Sequence, residues 1–156
     1  MKHFLIVLLV LGVGFRVSAG SNVAAVAYNQ SIMLEQDKVG YRLANFMQQV
    51  TGKNLILLQM QILNSIETLN ATQPYENDST FLIAARELFN CYKEVSKYQY
   101  PKILQLVENP DVADEQFNQQ LDAIRKEITD IEAPFDKKFS EEQEKFAQKY
   151  GFQFKQ

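Results

Sequence analysis

The sequence predicts an all-α protein, an antiparallel four-helix bundle preceded by a cleaved signal peptide. Two positive observations lead to this fold class: an apolar run at the amino terminus, and four later segments in which apolar residues recur with helical spacing. A third is that no stretch alternates with period two for long enough to predict a sheet. Short turns separate the segments, so consecutive helices should be antiparallel. We assign residues 1–19 to the signal peptide and residues 20–156 to a single helical-bundle domain.

The amino-terminal segment has the parts of a secretory signal peptide. Lys2 precedes about a dozen apolar residues, a run that is short for a membrane span. Arg16 ends this run, and Val17 and Ala19 supply the small or medium side chains that precede a cut after Ala19. Ser21 stands where a bacterial lipoprotein would carry a lipidated cysteine. We therefore expect export to the periplasm, the cell surface or the medium, with no membrane span after cleavage; an uncleaved anchor helix is the alternative.

Charge and composition narrow the range of functions. Removing residues 1–19 takes Lys2 and Arg16 from sixteen basic residues and leaves nineteen acidic ones, a net charge of −5. That balance argues against nucleic-acid binding, which needs clustered basic residues. The single histidine, His3, lies in the leader, so the mature chain lacks an imidazole base and a histidine metal ligand. We expect no catalytic, cofactor or metal site, although a carboxylate-based hydrolase stays open.

The first two helices are predicted at about residues 22–50 and 54–70. Val39, Leu43, Phe46 and Val50 give the first a regular apolar face, and Gly40 within it is expected to permit close helix approach. The turn falls at Thr51–Asn54. The second helix is the most apolar, with a main stripe of Leu55, Leu58, Ile62, Ile66 and Leu69. Leu57, Met60 and Leu63 broaden this stripe, which suggests a helix with two packed neighbours.

The third helix follows a polar loop at residues 70–79. Asp78 or Ser79 can cap it by accepting from its first free amides. Pro101 should kink or interrupt it, because proline lacks a backbone donor and clashes one turn back. Cys91 lies in the apolar pattern of this helix, which favours a buried, inert thiol over a disulfide with another chain.

The last helix carries the most regular pattern, a heptad seam formed by Phe117, Leu121, Ile124, Ile128, Ile131 and Phe135. We expect Ile124 and Ile128 to lie in the core. Pro134 predicts a bend or a short break, and Gly151 is placed to end the helix in a left-handed cap. The bundle needs this seam internally, which favours a monomer over a homodimer; pairing of the seam with a second chain stays open.

Three segments carry a resemblance to a known family: "AYNQSIMLEQDKV", "FLIAARELFNCYKEV" and "EEQEKFAQKYGF". Together they are similar, in order and character over most of the mature chain, to a family of small bacterial surface proteins known from Bacteroidetes and spirochaetes. The carboxy-terminal "Q-x-x-FA-x-KYGF" is the most distinctive piece. The resemblance implies export and a mostly helical fold, and it supplies no reaction or site residue. Many relatives look like lipoproteins, and Ser21 departs from that pattern.

One candidate partner-binding surface surrounds Pro101 and consists of Lys97, Tyr98, Tyr100 and Lys102. Tyrosines offer large contact areas at low entropic cost and are enriched in interfaces. Packing of both rings within the bundle is the alternative. The partner would be an unknown protein or glycan, in the envelope or outside the cell.

Other polar features have simpler readings. The acidic run Glu141, Glu142 and Glu144 lacks the ligand spacing of a calcium loop, which predicts a solvated helix face. Three glycosylation sequons, at Asn29, Asn70 and Asn77, matter only in a eukaryotic secretory pathway. The sequence thus favours a non-enzymatic interaction module. The alternative is a carrier of an apolar small ligand in the bundle interior, suggested by the wide second stripe and eleven phenylalanines.

Overall fold

A computed structural model describes residues 15–16 and 22–154, and over this range the chain is almost entirely helical. The helices are α1 (Val23–Gln48), α2 (Gly52–Ala71), α3 (Thr80–Tyr98), α4 (Tyr100–Glu108) and α5 (Asp114–Lys149). Gln99 alone separates α3 from α4, so these two form one interrupted arm of the bundle. The predicted all-α four-helix bundle is therefore confirmed.

Side-chain caps fix where α2 and α3 begin. The Thr51 hydroxyl accepts a hydrogen bond from the amide of Asn54 at 3.3 Å, so α2 starts two residues earlier than the sequence predicted. At α3, the Asp78 carboxylate accepts from the amide of Thr80 at 3.2 Å, whereas Ser79 makes no side-chain cap bond. Of the two residues expected to cap this helix, Asp78 does so.

The helices pack in the order α1, α2, α3 and α5, with α4 against α3 and α5. Helices α1 and α5 complete the ring through side chains. The Tyr28 and Phe146 ring centroids lie 5.5 Å apart, and the amide of Gln143 donates to the Asn29 side-chain oxygen at 3.0 Å. The core therefore extends across all four arms.

Aromatic rings fill one end of this core around Phe146. Its centroid lies 4.7 Å from that of Tyr150 and 5.5 Å from that of Phe81. Tyr75, in the loop before α3, contacts Phe146 edge-on at 5.7 Å. Such tilted and edge-on pairs stabilise beyond the area they bury. This cluster ties the α2–α3 loop to the end of α5.

Three expectations about the helices need correction. Ile124 and Ile128 pack against the core but stay partly exposed. Ile124 does so because it lines a cleft, described below. Of the bend or short break predicted at Pro134, the break does not occur: α5 continues through this residue and packs on the core on both sides of it. A methyl group added to Gly40 would meet no atom within 4 Å other than the local backbone of α1, so this glycine does not serve close helix approach.

Helix α5 ends as predicted, because Gly151 follows it in the left-handed region at φ 75°. Beyond it, the two-residue strand β2 (Gln153–Phe154) pairs antiparallel with β1 (Phe15–Arg16). The predicted signal peptide otherwise lies outside the described residues, and both cleavage and export remain predictions. Within the described part of the chain, no helix combines the length and apolar character needed to cross a bilayer.

Candidate binding cleft between α4 and α5

The structure separates the four residues of the predicted binding surface. Tyr98 is 52% exposed, and the Lys97 ammonium lies 4.7 Å from the centroid of its ring. Tyr100 is only 6% exposed, and its ring packs on Phe46 at 5.6 Å. The expectation that both tyrosines project outward is therefore wrong for Tyr100. Lys102 is exposed and belongs to a different feature, a cleft between α4 and α5.

The burial of Tyr100 follows from the interruption at Gln99. After this residue the helix restarts as α4, and the face formed by Tyr100, Ile103 and Leu106 turns towards the core. Their three-residue spacing places them on one side of a helix. Pro101 is tolerated here because it occupies the first turn, where its missing amide hydrogen breaks no helical hydrogen bond.

The cleft has a volume of about 470 Å³ and combines an apolar floor with a polar rim. Its lining residues are Lys102, Gln105, Leu106, Asn109, Val112, Gln120, Ala123, Ile124 and Glu127. Leu106 is buried, and Val112 and Ile124 are partly buried. The rim amides of Gln105 and Gln120 are exposed. Side-chain amides both donate and accept, so this rim can bond to many polar partners.

Two of the residues that line the cleft, Lys102 and Glu127, form an ion pair. The Lys102 ammonium lies 2.7 Å and 3.0 Å from the two carboxylate oxygens of Glu127, and the Gln99 amide donates to the same carboxylate at 3.4 Å. The bond from Lys102 holds the pKa of Glu127 below its usual value. Both charged side chains are nearly half exposed, so their pairing contributes little to stability and can be exchanged for contacts with a ligand.

A second polar cluster lies between α1, α3 and α5. The Tyr92 hydroxyl donates to the Asp136 carboxylate at 3.4 Å and accepts from the Gln36 amide at the same distance. Burial and the neighbouring Asp136 raise the pKa of Glu132 to about 7. Burial also raises the pKa of Asp136. The four residues of this cluster contact one another or other protein groups, and none of them lines the cleft. They are Gln36, Tyr92, Glu132 and Asp136.

Cys91 lies beside this cluster and is buried, as the sequence predicted. Its sulfur lies 3.8 Å from the carbonyl oxygen of Ile131. Desolvation by burial, helped by the charges of Glu132 and Asp136, raises its pKa to about 11. The thiol is therefore protonated near neutral pH, when it is a poor nucleophile and a poor metal ligand. No group of three or more His, Cys, Asp or Glu side chains among the described residues could hold a metal ion.

Sequence reasoning missed the Glu132–Asp136 pair, although a signal was present. The two carboxylates are four residues apart, so they lie on one face of α5. They directly follow Ile131 and Phe135, two positions of the apolar seam. Carboxylates at this spacing beside a buried seam indicate partly buried acids with shifted pKa values.

The other polar features have clear positions. Glu141 and Glu144 are exposed, as a solvated helix face requires, whereas the Glu142 side chain is only 17% exposed and pairs with Lys145 at 2.6 Å. Of the three sequons, Asn29 is fully buried, while Asn70 and Asn77 are exposed. A glycan on Asn29 is therefore incompatible with the folded bundle.

Comparison of the chain with protein-family models, curated proteins and solved structures found no match. The resemblance to small bacterial surface proteins stays a prediction.

Proposed function

We propose that this protein is an exported, non-enzymatic interaction module that binds a protein or a glycan in the cleft between α4 and α5. The observation that carries the proposal is the cleft itself, where an apolar floor lies beneath exposed amides at the interrupted arm of the bundle. Its volume of about 470 Å³ falls within the range of known ligand pockets.

The chemistry of the cleft suits a partner with alternating apolar and hydrogen-bonding groups. Leu106 and Ile124 can pack against an aliphatic side chain or the apolar face of a sugar. Gln105, Asn109 and Gln120 can bond to peptide groups or sugar hydroxyls. Among the described residues that line the cleft, Lys102 is the one lysine or arginine, and Glu127 neutralises it. Because the positive charge of Lys102 is neutralised, the cleft favours an uncharged segment of a protein or glycan over a phosphate-rich ligand.

The position of the shifted carboxyl groups supports a binding role over a catalytic one. Glu132 has a pKa suited to acid–base chemistry, but its described neighbours are Asp136, Tyr92 and Cys91 inside the bundle. A general base must lie within hydrogen-bond reach of the substrate proton it removes. Because Glu132 does not line the cleft, a ligand bound there would not meet it.

The carrier hypothesis remains an alternative proposal. An apolar ligand inside the bundle would have to displace tightly packed rings, such as the group around Phe146. The cleft can accept a ligand without that rearrangement, and for this reason we prefer the interaction module.

The test fills the cleft without disturbing the core. Ala123→Arg places a long side chain in the cleft at an exposed position of α5, while Ala44→Arg makes the same change at an exposed position of α1. Both variants and the parent are compared on a glycan array and in pull-downs from envelope fractions of the host, with thermal melts as the folding control. We expect Ala123→Arg to lose ligands that Ala44→Arg retains. Equal binding by both variants would contradict the proposal.

A further inference from the structure

The outward face of α2 carries a stripe of five exposed residues with an unusual charge pattern. Lys53, Ile56, Met60, Leu63 and Glu67 are spaced by three, four, three and four residues, which aligns them along one side of the helix. Ile56 is 58%, Met60 54% and Leu63 47% exposed. The buried face of the same helix, which includes Leu58 and Ile62, points to the core.

Between the two ends of this stripe, α2 carries no charged residue. The outer face of a helix in a soluble bundle ordinarily bears charged side chains. In α2 the only charged residues are Lys53, at the amino end of the stripe, and Glu67, at its carboxyl end. Three apolar side chains lie between them. Such an exposed apolar row is typical of a protein–protein contact.

The charges at the two ends of the stripe are complementary to those of a second copy that packs antiparallel to it. Lys53 lies seven residues before Met60, and Glu67 lies seven residues after it. If two copies of α2 pack antiparallel with their Met60 residues facing each other, Lys53 of each copy lies opposite Glu67 of the other. In that alignment Ile56 and Leu63 of the two copies interleave. A parallel alignment would instead place like charges together at both ends.

We propose that the α2 stripe is the interface of a symmetric antiparallel homodimer. A two-fold axis through Met60 satisfies both charges and covers all three apolar side chains, as an isologous interface requires. The stripe spans about 21 Å at 1.5 Å per residue, which makes a small interface. The dimer should therefore dissociate on dilution in the micromolar range. This proposal is independent of the cleft, which α4 and α5 form.

The first experiment measures the association state of the full domain by sedimentation velocity, from low micromolar to several hundred micromolar protein. Met60→Lys places two like charges at the two-fold axis and should leave only monomer. Leu34→Lys is the matched control, because Leu34 is 53% exposed on α1 and the charge change is the same. This control should still dimerise. A parent that stays monomeric throughout, or a Met60→Lys variant that still dimerises, would overturn the proposal.

The second experiment tests the pairing of the charges. Lys53→Glu gives the stripe an acidic residue at both ends, and Glu67→Lys gives it a basic residue at both ends. Like charges then face each other across the dimer, so each variant alone should dimerise roughly tenfold more weakly than the parent. An equimolar mixture of the two should recover parental affinity as a heterodimer, because each acidic end then faces a basic one. Failure of the mixture to associate better than either variant alone would refute the antiparallel alignment. Circular dichroism melts confirm that each variant is folded.

Discussion

Replacing Glu132 by Gln should remove a pH-dependent cost to the stability of the bundle. Glu132 lies half-buried on α5, and burial together with the neighbouring Asp136 raises its pKa from 4.5 to about 7. The folded protein therefore binds the Glu132 proton more tightly than the unfolded chain. Stability is unaffected by this group below the unfolded pKa, and it falls as pH rises towards 7.

The size of this effect follows from the shift. At 1.36 kcal/mol per pKa unit, the full shift would correspond to about 3 kcal/mol, and partial exposure of the group reduces this to about 2 kcal/mol. The unfolding free energy of the parent should thus decrease by about 2 kcal/mol between pH 5 and pH 8. The domain for this measurement begins at residue 20, after the predicted cleavage site, and contains no histidine that would titrate in this window.

Urea melts across this pH window provide the assay. Glu132→Gln should flatten the pH dependence and be the more stable protein at pH 8, because glutamine carries no charge to bury. Glu144→Gln, at an exposed position of the same helix, should retain the parental slope. Parent stability that is constant or rises from pH 5 to pH 8 would refute the reasoning, as would a Glu132→Gln slope equal to that of the parent.

Three further predictions concern Gly40 in α1, the buried Leu121 in α5, and cleavage of the predicted signal peptide. Gly40→Ala should raise stability in urea melts by up to about 1 kcal/mol, because alanine is the better helix former and the added methyl meets no described atom; a loss of stability would show a contact that the structure lacks. Leu121→Ala should cost about 2–5 kcal/mol as a core truncation, whereas Ile124→Ala, beside the cleft, should cost less; equal costs would contradict the open cleft. The intact mass of the exported protein should correspond to a chain that begins after Ala19 and carries no lipid, and an intact leader or added acyl mass would refute cleavage and release.

The helices could be predicted from the sequence because their apolar spacing and stop signals are local. Asp78, Pro101 and Gly151 each act within a few residues, and each affects the chain where the pattern placed it. The burial of Ile124 could not be predicted in the same way. A seam position is buried only if a neighbour covers it, and at Ile124 that neighbour is the short helix α4, which leaves a cleft.

The candidate site shows the same limit. The sequence predicts one surface that contains both Tyr100 and Lys102. The restart at Gln99 instead places Tyr100 in the core and Lys102 in the lining of the cleft. The direction in which a helix restarts after a one-residue interruption depends on tertiary packing, which local pattern does not encode. Glu132 was missed for a related reason, since its shifted pKa depends on burial by other helices.

Site-specific photo-crosslinking tests the proposed binding cleft most directly. A photoreactive amino acid is placed at Gln120, on the exposed rim of the cleft, or at Asn90, an exposed position of α3 outside it. Each protein is expressed in the host, irradiated and analysed by mass spectrometry. We predict covalent capture of a specific partner from position 120 and not from position 90, with the product lost when Ala123→Arg fills the cleft. Capture of the same partner from both positions, or capture from position 120 that survives Ala123→Arg, would contradict binding in the cleft.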